Sequence, residues 1–236
     1  MQNRAFTLFS FAALVAVIGV ALALLAMSIS DADEATTEDD ALVSVLIDEG
    51  DTASGGVSAA GYRGAAFDPP ITIADWSLPA TTGRDYVFSE QAGTVQLIYF
   101  GYMSCPDFCP TTMADLQRAF VTLGDDLTEH VQVVFVTVDP ARDDLTRMAR
   151  YVSAFNDDFI GLRGEDGALQ TVMGEFGAVA RQREVDSAMG YLVDHTASVF
   201  MVDPEGQLVG RFVYGTPSAD IAHDVRLVLE AHGLAG

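Results

Sequence analysis

The chain of 236 residues holds only two cysteines, Cys105 and Cys109. In a helical turn, residues four apart have Cα atoms ~6 Å apart, which suits either a disulfide or two thiolates on one ion. Proline at the first position of a following helix would make Cys109 its cap. A thiol there meets the positive end of the helix dipole, so its pKa is expected to fall. Of four histidines, His130, His223 and His232 read as surface residues. His195, in Val193-Asp194-His195-Thr196 at the mouth of a strand, is the candidate third ligand. Two thiolates and an imidazole form a soft set that selects copper, Cu(I) above all, or zinc. Structural zinc takes four protein ligands and no third cysteine exists, so copper is favoured over zinc. Asp139, in Asp139-Pro140 at the end of a strand, is a candidate for a hydrogen bond behind the site or a contact to a partner. Its plainer reading is a turn former.

Those residues need a sheet to hold them. Residues 95–100 and 131–138 are nearly continuous apolar runs, the pattern of strands buried on both faces. Residues 71–78 alternate like an edge strand or hairpin arm, with 85–88 as a partner. Helical spacing over 111–123 puts Met113, Leu116, Phe120 and Leu123 on one face. Asp143 or Asp144 caps a helix reaching about residue 155. A short strand at 159–162, a helix at 166–176, a hairpin of 198–202 with 207–214 around Asp203-Pro204-Glu205-Gly206, and a helix at 218–231 complete the pattern. The order predicts an α/β fold, a mixed sheet with helices on both faces.

Ahead of this domain the composition changes twice. Residues 5–30 carry no charge, and the apolar run of about 23 residues, roughly 35 Å as a helix, can cross a bilayer. Arg4 before it and acids after it orient the chain N-in, and the run is longer than a cleaved signal's core. Residues 31–66 are rich in Asp, Glu, Gly, Ser and Ala, a flexible acidic tether. The expected organisation is an anchor at 1–30, a linker at 31–66 and a folded domain at 67–236. Acidic residues number 34 against 12 basic, a net charge of −22, and every basic residue is Arg. Phosphate backbones need clustered cations, so nucleic acid is excluded as a partner class.

Three blocks in order resemble the SCO/SenC family: VQLIYFGYMSCPDFCPTTM at 95–113, VTVDPARD at 136–143, and YLVDHT at 191–196 followed by VDPEG at 202–206. Met103 and Phe108 depart from the residues the family often carries there, and neither removes a ligand. The resemblance implies a thioredoxin-like domain tethered by an N-terminal transmembrane helix to the inner (cytoplasmic) membrane, facing the periplasm. It implies copper, as Cu(I) and Cu(II), bound by Cys105, Cys109 and His195, with the two cysteines also forming a redox disulfide. Asp139 falls on a family acidic position linked to the site. The implied role is delivery of copper to, or reduction of the cysteines of, the CuA site of cytochrome c oxidase subunit II. Further implied partners are another copper carrier or a thioredoxin-like reductase. The rival reading is a thiol–disulfide oxidoreductase or thiol peroxidase of the cell envelope. Such enzymes usually carry Cys-x-x-Cys and a cis-proline opposite it, whereas this chain has one more residue between the cysteines and Asp194-His195-Thr196 in that loop.

Overall fold

The computed structural model describes residues 61–187 and 189–235. The apolar run at 5–27 and the acidic stretch to residue 60 lie outside the described residues. No helix among the described residues is long and apolar enough to cross a membrane.

The centre of the fold is strand β4, Val95–Gly101, in which all seven residues are buried. An apolar run of this kind cannot present one face to water, so it needs cover on both sides. Parallel β5 (Val131–Thr137) lies beside it in register, Val95 opposite Val131 through Gly101 opposite Thr137. The short β6 (Ile160–Leu162) continues the parallel side. On the other flank β9 (Val199–Val202) pairs antiparallel with β4, then β10 (Gln207–Phe212) with β9, and β1 (Ala65–Thr72) with β10. The sheet order is β1-β10-β9-β4-β5-β6.

Side chains alternate across the sheet. Tyr99 reaches Phe135, which reaches Tyr151, so helices α1 (Phe108–Leu123) and α3 (Leu145–Ser153) cover one face. Helix α5 (Ser218–Ala231) packs against α1. Phe100 points the other way, to Phe176 and Phe200, beneath helix α4 (Asp166–Glu175). Trp76 and the small hairpin of β2 (Ser77–Pro79) with β3 (Asp85–Val87) close that face, and the Tyr86 hydroxyl donates to buried Gln96 at 2.7 Å. A one-turn helix α2 (Asp125–Thr128) precedes β5. The mixed α/β architecture with helices on both faces is as the pattern predicts. Met113, Leu116, Phe120 and Leu123, and Ile221, Val225, Val228 and Leu229, are all buried. Asp144 is the cap of α3, its carboxylate accepting from the Arg147 N–H at 2.8 Å.

Three differences matter. The folded region starts before residue 67: β1 begins at Ala65, and its two prolines sit on an edge strand, where a missing N–H breaks no ladder. Helix α1 starts at Phe108 with Asp107 as its cap, so Cys109 is the second helical residue and Pro110 the third. Both positions lie in the first turn, whose N–H groups have no intrahelical partner, so proline is tolerated there. A separate hairpin, β7 (Ala180–Glu184) with β8 (Tyr191–His195), replaces the expected loop before β9.

The N-terminal edge is fastened by Asp224. This carboxylate, fully buried on α5, accepts from the Arg63 N–H through both oxygens at 2.9 Å and from the Gly64 N–H at 2.8 Å. Removing a buried charged acceptor leaves those donors unpaired. Asp224→Ala is therefore expected to cost about 3 kcal/mol of stability, read as a lower midpoint in urea unfolding of the protein.

Candidate metal centre

The site is assembled where β4 and β5 end. Residues Tyr102 to Asp107 turn the chain from β4 into α1, and the Cys105 N–H donates to the Tyr102 carbonyl at 3.2 Å. Asp143, buried beyond the end of β5, accepts from the Met103 N–H at 3.0 Å and from the Thr137 hydroxyl at 2.6 Å. Burial pushes its carboxyl pKa up while those two hydrogen bonds resist the shift. The Cys109 N–H donates to Cys105 Sγ at 3.4 Å, so the open first turn of α1 is aimed at the Cys105 sulfur. Gly101, the last residue of β4, makes room for this packing. A Cβ there would lie 2.9 Å from the Tyr99 and Phe135 rings and 3.1 Å from Cys109 Sγ.

His195 ends β8, and its Nε2 lies 3.5 Å from Cys109 Sγ. Its Nδ1 is 3.1 Å from the Thr196 carbonyl, an acceptor that fixes the ring orientation, so Nε2 is the ring atom turned towards the sulfurs. The imidazole stands between the Tyr99 and Tyr102 rings, at centroid distances of 6.1 and 5.8 Å. Cys105 Sγ, Cys109 Sγ and one His195 nitrogen all lie within 4.8 Å of one another. Both cysteines are free thiols.

Asp139 touches no sulfur. It is fully buried, and its carboxylate accepts from the Tyr191 hydroxyl at 2.8 Å and from Arg142 Nε. Arg142 in turn donates to the carbonyls of Met189 and Tyr191 at 3.2 and 3.0 Å, and its guanidinium lies 3.7 Å above the Tyr191 ring. Asp139 and Arg142 thus hold the hairpin that carries His195. The surroundings Tyr99, Tyr102, Tyr191, Arg142 and Thr196 were not singled out from the sequence. All five lie inside the three blocks that carry the family resemblance, but nothing in their type or spacing marked them as neighbours of the sulfurs.

The thiol electrostatics reverse one expectation. Cys105, not Cys109, is the acidic thiol. Its pKa is lowered to about 3, first by the hydrogen bond from the Cys109 thiol, against the opposing cost of burial, and then by His195 and the N–H groups of Asp107 and Cys109. Cys109 is pushed up, chiefly because its proton is shared with Cys105 and because it is buried. Its place in the first helical turn does not offset those two effects. The pair therefore holds one proton between two sulfurs. A cation that displaced that proton would meet two thiolates and one imidazole, a soft three-donor set with no carboxylate.

A mixed sheet with a Cys-x-x-x-Cys turn at a strand end and a histidine facing the sulfurs defines a thioredoxin-like protein with a cluster of two thiols and an imidazole that could hold a metal ion. A family model described as SCO1/SenC matches residues 65–230. The chain belongs to the SCO1/SenC family. It is similar to the mitochondrial SCO2 homolog of Danio rerio, 32% identical over 153 residues, covering 64% of this chain and 55% of that protein. This chain thus spans little more than half the length of that curated relative. Among solved structures, apo Sco1 from Thermus thermophilus is 35% identical, with a TM-score of 0.62 over 74% of this chain and 99% of the other. ScoI of Bradyrhizobium japonicum, solved with copper bound, is 28% identical, with a TM-score of 0.61 over 67% of this chain and 99% of the other.

Cys105 is 8% exposed and Cys109 fully buried, so access and ionisation favour the same sulfur. Iodoacetamide should alkylate Cys105 first, at a rate nearly flat from pH 5 to 8. An ordinary thiol of pKa about 8.5 gains about tenfold per pH unit there. Cys109→Ala removes the hydrogen bond that most lowers the Cys105 pKa, and should restore a rising pH profile. Peptide mapping of the labelled site against pH checks both.

Proposed function

We propose that this chain is a membrane-tethered copper chaperone, holding one copper ion with Cys105, Cys109 and His195. It delivers copper to the CuA site of cytochrome c oxidase subunit II, reduces that site's cysteines, or does both. The observation that carries the reading is the placement of two sulfurs and an imidazole nitrogen within 4.8 Å of one another, with His195 Nε2 turned towards the sulfurs. Family membership and the copper-bound relative support the choice of metal. Thiolates favour Cu(I), and the imidazole also accommodates Cu(II). Three coordination leaves a side from which a client's ligand can enter. The apolar run at 5–27 supports an inner-membrane anchor with the folded domain in the periplasm.

Reduction of a client is compatible with the same residues. The Cys105 thiolate attacks a client disulfide and one client sulfur leaves as a thiol. Cys109 then attacks the mixed disulfide, giving a Cys105–Cys109 disulfide and a client dithiol; the pair passes two electrons and the Cys109 proton to the client, and the second proton comes from solvent. The segment Asp194-His195-Thr196 carries no proline where general oxidoreductases usually have one, and His195 Nε2 lies beside Cys109 Sγ. This favours metal handling over general thiol exchange.

The reduced protein should bind one copper, and Cys105→Ala, Cys109→Ala and His195→Ala should each abolish tight binding. An unchanged affinity and copper spectrum in His195→Ala would refute the three-donor site. Oxidation to the disulfide should prevent loading. Because Cys105 is already ionised at neutral pH and Cys109 is not, the thiol pair releases about one proton per Cu(I) bound. Affinity should then rise about tenfold per pH unit between pH 7 and 8. In a competition titration, Arg142→Ala, which frees the His195 hairpin, should weaken binding about tenfold. In a deletion strain, rescue of oxidase assembly by added copper supports delivery, and rescue only by a reductant supports reduction.

A further inference from the structure

A second group of potential ligands lies at the far end of the sheet, built from the Asp203-Pro204-Glu205-Gly206 turn and the end of α5. Val202 pairs with Gln96 near the start of β4, whereas the sulfurs sit beyond Gly101 at its end. Five residues of strand separate the two ends by about 17 Å. Carboxylate oxygens of Asp203 and Glu205 and a ring nitrogen of His232 all lie within 4.8 Å of one another.

Each residue is set up for this by its own surroundings. Asp203 is 5% exposed. Its Oδ1 accepts from the Glu205 and Gln207 N–H groups at 3.0 and 2.9 Å, which fixes the turn. Its Oδ2 takes no part in those bonds and points at His232 Nε2, 3.9 Å away. Glu205 Oε2 lies 4.0 Å from the same nitrogen. His232 Nδ1 is 2.7 Å from the Val228 carbonyl, so the ring N–H is committed there and the Nε2 lone pair is turned towards the two carboxylates. These separations are too long for hydrogen bonds. A cation between the three groups would bridge these gaps through metal–ligand bonds of about 2.0–2.2 Å.

We propose that Asp203, Glu205 and His232 form a second metal site, selective for a borderline divalent ion such as Zn²⁺ and distinct from the thiolate centre in chemistry as well as place. One nitrogen and two carboxylate oxygens suit Zn²⁺ or Co²⁺ and do not suit Cu(I), which prefers sulfur. Exposed Glu205 closes the site from the solvent side. Bound metal would clamp the C-terminal end of α5 to the β9–β10 turn, and so stabilise the fold without touching the cysteines.

The test uses the full chain with Cys105→Ser and Cys109→Ser, which silences the thiolate centre, and adds Co²⁺ as a spectroscopic probe and Zn²⁺ by calorimetry. One equivalent should bind, giving a Co²⁺ visible spectrum without sulfur charge-transfer bands. His232→Ala should lower affinity at least tenfold. Asp203→Asn keeps the Oδ1 acceptor that fixes the turn while removing the charge, and should do the same. Zn²⁺ at 100 times its Kd should raise the Tm of the cysteine-free protein by about 5 °C or more, and not that of its His232→Ala derivative. Absence of stoichiometric binding, or equal affinity with and without His232, would overturn the proposal, leaving a cluster that only pairs His232 with two acids. Either result is independent of copper binding at Cys105, Cys109 and His195.

Discussion

The contact between Cys109 Sγ and His195 Nε2 is the constraint on which the rest of the site depends. It joins the first turn of a helix to the end of a hairpin, 86 residues later in the chain. Neither partner reaches the other without the sheet. β4 delivers the cysteine turn at its C-terminal end, and antiparallel β9 begins at that same end, immediately after the hairpin that carries His195. The buried apolar strands hold these ends in register. Burying two thiols and an imidazole is unfavourable unless each polar atom finds a partner. Here the Cys109 N–H, the shared thiol proton and the Thr196 carbonyl supply them.

Much of this frame was legible because burial writes itself into composition. Residues 95–100 and 131–138 lack polar punctuation because both faces of β4 and β5 are covered. The final helix showed a clean apolar stripe because only one of its faces packs. The β7–β8 hairpin was not legible for the opposite reason: Ala180–Glu184 is exposed along nearly its whole length, so no alternation of apolar and polar residues marks it. β1 was hidden by two prolines and an exposed edge. The three donors were legible by residue type, and the family resemblance strengthened them. Their proton distribution was not legible, since it depends on which sulfur is deeper and which one the other's thiol faces. Local position in a helix pointed to Cys109, and burial with proton sharing moved the charge to Cys105.

Residues 139–143 connect the two halves of the site without touching the sulfurs. Asp143 ties down the cysteine turn through the Met103 N–H, while Asp139 and Arg142 tie down the hairpin through Tyr191 and two carbonyls. Arg163, just past β6, clasps the same segment through the carbonyls of Pro140 and Asp143. The spacing between sulfurs and imidazole is thus set by one short segment leaving β5. A displacement there would be transmitted to both sides at once. Asp139 reads as a turn former in sequence, yet its buried carboxylate serves the histidine's strand.

Gly101 gives the site a back wall. With no side chain of its own, it lets the Tyr99 and Phe135 rings and the fully buried Cys109 sulfur press close against the backbone. The deeper thiol, Cys109, therefore lies against the sheet, and Cys105 is the less buried of the two. The sulfur nearer the surface is that of Cys105, with the half-buried His195 beside the pair.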